Sequence, residues 1–162
     1  YTDLSFYKTN PVITFDTIYG ESKWKVFAIF KTGTPESAPD AFNYLRPSFS
    51  NESDFLNFVY QIRNRSYINT PVDIRPDDQI LTLSTCTYEL NDYRGVVVAR
   101  KVRPGEDAAV DVSAAQQNNQ IVFPADWYKR YGGSMPSLPK TFEEAVAQGL
   151  VSWYTPADST KK

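Results

Sequence analysis

Through the first two-thirds of the chain, apolar residues fall in short clusters rather than on helical stripes, the pattern of a β-rich body. Val12 to Tyr19 is dense in β-branched and aromatic residues and is closed by Gly20, which predicts a strand. Trp24 to Phe30 predicts a second, and its unbroken apolar run from Val26 predicts burial on both faces. Only Gly20 to Lys23 separates them, so the pair reads as a hairpin. Thr32 to Ser50 reads as loop, punctuated by Gly33, Pro35, Pro39 and Pro47.

One helix stands out. Ser50 or Asn51 can cap it, Glu52 and Asp54 suit its first turn, and Arg63 and Arg65 suit its last. Phe55, Phe58, Val59 and Ile62 follow the i, i+3, i+4, i+7 spacing of a single apolar stripe. Two more strands are predicted at Gln79 to Cys86 and Tyr93 to Val102. Past Pro104-Gly105 the texture changes. Glu106 to Asn119 has little periodicity, and two short helical patches follow. Pro124 to Tyr131 ends at Gly132-Gly133, and Thr141 to Gln148 opens with a Thr141/Glu144 capping box and stops at Gly149. The expected organisation is a body over 1–104 and a helical extension over 105–162, wrapped on the body and ending in a flexible tail.

Composition narrows the chemistry. The 162 residues include 17 basic and 19 acidic side chains, a net charge of −2, which gives no electrostatic footprint for nucleic acid. Aromatics at 15% supply enough apolar surface for a core. With no histidine, these residues hold no Ser-His-Asp triad, Cys-His dyad or imidazole metal site. A single cysteine excludes an internal disulfide and a Cys-rich zinc knuckle. No metal and no cofactor is expected. The longest apolar runs, Val26 to Phe30 and Val96 to Ala99, fall far short of the roughly 20 residues that span a bilayer. Tyr1 opens neither a signal peptide nor a natural reading frame, so a piece of a longer chain is expected.

Candidate chemistry centres on Cys86. A lone cysteine is ordinarily an inert buried residue. Here Leu81 to Cys86 forms a strand ending in the thiol, and Arg94 opens the next strand eight residues later. If the two strands are antiparallel neighbours, Cys86 and Arg94 face each other at one rim. A guanidinium there can favour the thiolate and donate to a developing oxyanion. The alternative is a solvated arginine at a strand entrance.

Thr82-Leu83-Ser84-Thr85-Cys86, followed by an arginine at the head of a Val-rich strand, resembles the signature of sortases, the cysteine transpeptidases of Gram-positive cell surfaces. The helix over 51–64 and the run Arg65 to Ile74 resemble the stretch between the sixth and seventh strands of class B. The resemblance covers about residues 1–102 and implies a mainly β protein with helices: a sortase-like closed β-barrel, partial here, with one amphipathic helix between strands and a helical C-terminal extension. It implies Cys86 as the nucleophile and Arg94 as the group that holds the substrate carbonyl or the tetrahedral intermediate. Ser84, Tyr44 and Leu45 match positions lining the class B groove, with ordinary loop packing the alternative for Tyr44 and Leu45. Tyr88 and Glu89 carry no assigned role.

The same resemblance implies partners and a place. These are a sorting-signal peptide cleaved after Thr, an amine acceptor from peptidoglycan precursor or a pilin subunit, and the outer face of a Gram-positive membrane. The parent would be anchored through an N-terminal segment preceding Tyr1. The departure is the family's general acid–base histidine, which lies shortly ahead of a stretch resembling Tyr1 to Lys8. This portion is therefore expected to be inactive alone, and the alternatives are a catalytically degenerate sortase-like barrel or a cell-wall binding module. Trp127, Tyr128, Tyr131, Trp153 and Tyr154 could form a saccharide-stacking surface or anchor the extension to the body.

Overall fold

The computed structural model describes residues 1–18, 20–34 and 40–155. Its elements are α1 (Leu4–Thr9), β1 (Val12–Thr14), β2 (Lys23–Gly33), α2 (Glu52–Arg65), β3 (Ile68–Asn69), β4 (Ile80–Thr87), β5 (Tyr93–Lys101), a 3-10 turn (Val112–Ala114), β6 (Gln116–Gln117), α3 (Ala125–Tyr131) and α4 (Phe142–Ala147). Four strands form an antiparallel sheet in the order β1-β2-β5-β4, and β3 pairs with β6 beside it.

The centre of the sheet is covered on both faces. Phe30, Val96 and Val98 pack with the α2 stripe of Phe55, Phe58, Val59 and Ile62, while Val26, Ile29 and Ala99 pack with Tyr7, Ile68 and Ala115. A bulge in β2 makes this possible. The register steps between Val26 and Ala28, leaving Phe27 as an extra residue. Strand side chains alternate faces, so one inserted residue reverses the phase of everything beyond it. Val26 thus faces α1, while Ala28 and Phe30 face α2.

The predicted strand over 12–19 is cut short. Pairing with β2 stops at Thr14, and the chain then turns, with Ser22 N–H donating to Asp16 and Ser22 Oγ to the Phe15 carbonyl. Ile18 is 93% exposed, so its β-propensity had no surface to pack on. Tyr19 lies outside the described residues, as do Pro35, Pro39 and residues 156–162, at the end where a flexible tail is predicted. Conversely β2 runs on to Gly33, because β5 supplies partners up to the Gly33–Tyr93 pair. The helix α2 lies where its pattern predicts, with the Asn51 side chain accepting from Asp54 N–H at 2.9 Å. The short α1, capped by Asp3, has too few residues to show a period and was not anticipated.

Residues beyond 104 pack against the sheet and α2 at several places. Phe142 and Ala145 of α4 enter the α2 cluster, and Asn57 Oδ1 accepts from Phe142 N–H at 2.7 Å. On the other side Asn118 and Val122 donate backbone N–H groups to the Tyr67 and Asn64 carbonyls. An ionic cluster around the buried Arg100 ties Glu106 to β5. Arg100, whose side chain is 1% exposed, donates two 2.7 Å bonds to Glu106 and one of 3.1 Å to Asp73, while Arg103 grips Asp73 and Asp78.

Candidate active site

The β4–β5 ladder sets the site. Its register pairs Ile80 with Arg100, Thr82 with Val98, Ser84 with Val96 and Cys86 with Arg94. These pairs share the face on which Val96 and Val98 meet α2, since alternate residues of a strand point the same way. Directly paired residues stand about 4.5–5.5 Å apart at Cα. Cys86 is therefore opposed to Arg94, as the spacing in the sequence predicts. Its thiol is free and exposed. Arg94 is half-buried and donates one Nη1 bond to the Tyr93 carbonyl at 3.1 Å, with no other bond to its side chain among the described residues.

The residues between the strands are tied down at several points. Asp92 adopts a left-handed conformation, φ 56°, and its carbonyl accepts from Thr34 N–H at 3.2 Å. Glu89 pairs with Lys31, which holds the Glu89 carboxyl below its ordinary range, and its carbonyl accepts from Tyr131 Oη at 3.0 Å. Gly95 faces Thr87. A Cβ there would stand 2.9 Å from Thr87 Cγ2, so the glycine lets β4 and β5 approach beside Arg94.

The loop ahead of α2 forms the second wall. The hydroxyls of Tyr44 and Ser84 share a hydrogen bond at 2.8 Å, and the Tyr44 ring meets Phe30 edge-on. Leu45, 71% exposed, lines a cleft of about 840 Å³ with Tyr44, Phe49, Phe55, Ile80 and Thr82. Arg46 anchors the loop through paired bonds to Asp54 at 3.0 and 2.7 Å, and it holds the Asp54 carboxyl down to about 2. Cys86 is four residues along β4 from Thr82, roughly 13 Å at strand rise. The lining of the cleft ends at Thr82, on the same strand face as Ser84 and Cys86.

Cys86, Arg94, Ser84 and Tyr44 are brought together, and Leu45 stands on the adjoining wall. Thr82, Phe49 and Phe55 were missed as cleft residues. Counting back by twos from Cys86 would have found Thr82, whereas the two phenylalanines depend on the loop's path. Among the described residues no group of three or more His, Cys, Asp or Glu could hold a metal, and no helix is long and apolar enough to cross a membrane.

The chain was compared with known proteins. No family model matches it. It is 36% identical over 105 residues to sortase B of Staphylococcus aureus, covering 64% of this chain and 41% of that protein. It is 26% identical over 98 residues to sortase B of Listeria monocytogenes, covering 60% and 37%. The chain thus spans about two fifths of the length of these curated relatives. Among solved structures, a Staphylococcus aureus sortase B–substrate complex superposes with TM-score 0.56 at 36% identity, over 64% of this chain and 46% of that one.

A curled antiparallel sheet with a helix across one face, carrying a cysteine opposite an arginine on adjacent strands, is a half-barrel of the sortase type. Over part of its length the chain is similar to class B sortases.

Proposed function

We propose that this chain is the nucleophile-bearing portion of a class B sortase, a cysteine transpeptidase of the Gram-positive cell surface. In this reading the Cys86 thiolate attacks the carbonyl carbon of a threonine in a sorting signal. The tetrahedral oxyanion is held by the Arg94 guanidinium, and collapse expels the amine of the following residue, leaving a thioester on Cys86. An amine of a peptidoglycan precursor or pilin subunit then attacks the thioester, and the thiolate is released. The signal peptide lies along the cleft walled by Tyr44 and Leu45 and passes Ser84 on its way to Cys86.

Proton transfer needs a general acid–base group near neutral pKa, and the 162 residues contain no histidine. That group, and the membrane anchor, are proposed to belong to the longer parent, with these 162 residues inactive alone and 105–162 an extension of the barrel. The observation that carries the proposal is the β4–β5 register opposing Cys86 to Arg94.

The test is acyl transfer by the full-length parent from a Thr-containing sorting peptide to an amine. Cys86→Ala abolishes the thioester, and Arg94→Ala lowers turnover roughly 10²- to 10³-fold, the scale of losing an oxyanion donor. Near-normal turnover in Arg94→Ala removes it from that role. The missing histidine favours one competing reading, a degenerate barrel or cell-wall module that binds the signal without turnover. Peptide binding with no acyl-enzyme in the parent would select it.

A further inference from the structure

The β4–β5 loop is held from outside the sheet by α3, in the segment beyond residue 104. Trp127 is central to it. Its ring stacks on Phe123 at 4.4 Å between centroids and on Tyr93 at 6.3 Å, and Tyr131 lies 4.6 Å away on its own helix. Tyr131 and Tyr93 both lead to the candidate site. Tyr131 Oη donates to the Glu89 carbonyl at 3.0 Å, in the loop directly after the cysteine strand. Tyr93, fully buried, donates its hydroxyl to Asp126 at 2.6 Å, and its carbonyl takes the Arg94 Nη1 bond at 3.1 Å. At the helix start Ala125 N–H donates to Asp40 at 2.8 Å, in the stretch that leads to Tyr44 and Leu45.

The geometry points to α3 as a brace that positions the site. Asp126, Trp127 and Tyr131 are positioning residues that fix Tyr93 and the Glu89 loop, and through them hold Arg94 opposite Cys86. Tyr93 is the link, since one residue is gripped by α3 at its ring and hydroxyl and by Arg94 at its carbonyl. A neutral packing element would touch the sheet anywhere. This one touches both ends of the segment between nucleophile and guanidinium. The inference rests on Cys86 and Arg94 being the reacting pair, but its test does not require turnover.

That test uses this chain and the reactivity of its single thiol. An anionic and a cationic methanethiosulfonate react with Cys86 at rates whose ratio reports the local charge. An opposed guanidinium near the thiol favours the anionic reagent roughly tenfold through Coulomb attraction in high dielectric. Arg94→Ala sets the floor of that ratio. Trp127→Ala is expected to bring the ratio close to the floor and to speed amide exchange at residues 88–92, leaving exchange in β2 unchanged. Tyr131→Phe deletes one hydroxyl and is expected to lower the ratio part of the way to the floor and to raise exchange at those amides roughly 2- to 10-fold, the scale of one lost hydrogen bond. Tyr154→Phe, on the α4 side, is expected to alter neither.

A reagent ratio unchanged in both Trp127→Ala and Tyr131→Phe overturns the brace, even if exchange quickens. Should Trp127→Ala unfold the chain, Tyr131→Phe decides alone. A ratio that shifts as expected, in a protein whose parent shows no acyl transfer, leaves the brace standing and sinks the transpeptidase reading. The reverse combination does the opposite.

Discussion

Glu106→Gln gives the sharpest test of what holds β5 in place, because the variant keeps the shape and removes one charge. The two Glu106 oxygens accept four bonds: 2.7 Å each from Arg100 Nη1 and Nη2, 2.7 Å from Lys25 Nζ and 2.9 Å from Arg103 N–H. In the variant one acceptor becomes an NH₂ group facing cations. Arg100, with its side chain 1% exposed, keeps Asp73, itself half exposed, and Asp78 at 3.9 Å from Nε. Breaking a buried ion pair from one side costs about 3–5 kcal/mol. Glu106 is 23% exposed and Asp73 remains, so the low end applies, about 3 kcal/mol. For a chain of this size each kcal/mol lowers Tm by about 2–4 °C, which predicts a drop of about 6–12 °C.

The pH dependence checks the cause. The Arg100 hydrogen bonds, assisted by Lys25, hold the Glu106 carboxyl far below its ordinary range. A depressed folded-state pKa gives stability that is complete above the unfolded value, about 4.3, and is lost as pH falls through the folded one. The gap between the native chain and Glu106→Gln should therefore be constant from pH 7 to 5 and narrow below pH 4. Thermal unfolding followed by circular dichroism measures both. A loss under about 1 kcal/mol at pH 7, or a gap unchanged at pH 3, refutes the reasoning.

Two further outcomes test the elements around the site. Gly95→Ala places a methyl 2.9 Å from Thr87 Cγ2, so overpacking should cost about 1–3 kcal/mol in urea unfolding, and Thr87→Ser added to it should recover most of that loss. No recovery in the double variant would mean the clash is not the cause. Asn51→Ala removes the side-chain oxygen that accepts from Asp54 N–H at 2.9 Å and should cost about 1 kcal/mol at the start of α2, read by urea unfolding. A change within a few tenths of a kcal/mol would show that Asp54 and Arg46 hold that helix end without the cap.

Much of the site was legible before the fold because it rests on short-range rules. The eight-residue step from Cys86 to Arg94 becomes a direct cross-strand pair once the two strands are antiparallel neighbours. The α2 stripe, its Asn51 cap and the Gly149 stop at φ 68° follow from local spacing and backbone preference. Less visible was anything that depends on a partner far along the chain. Val12 to Ile18 has strand composition throughout, yet only Val12 to Thr14 pair with β2, and Phe15 and Ile18 are exposed. The bulge at Phe27, which sends Val26 and Phe30 to opposite cores, leaves no mark in an unbroken apolar run.

What the sequence determined by itself was the chemistry that is present and the chemistry that is not: one thiol, one arginine eight residues on at the head of the next strand, and no imidazole. Local periodicity carries such information because side-chain direction repeats every two residues in a strand and every 3.6 in a helix. Only the tertiary structure decided the surroundings of that pair. Tyr44 reaches Ser84 from 40 residues away, Glu106 neutralises Lys25 from 81, and Asp126 takes the Tyr93 hydroxyl from 33. These contacts depend on which surfaces are left to bury once the sheet has formed, a choice made by packing in three dimensions and unmarked in local order.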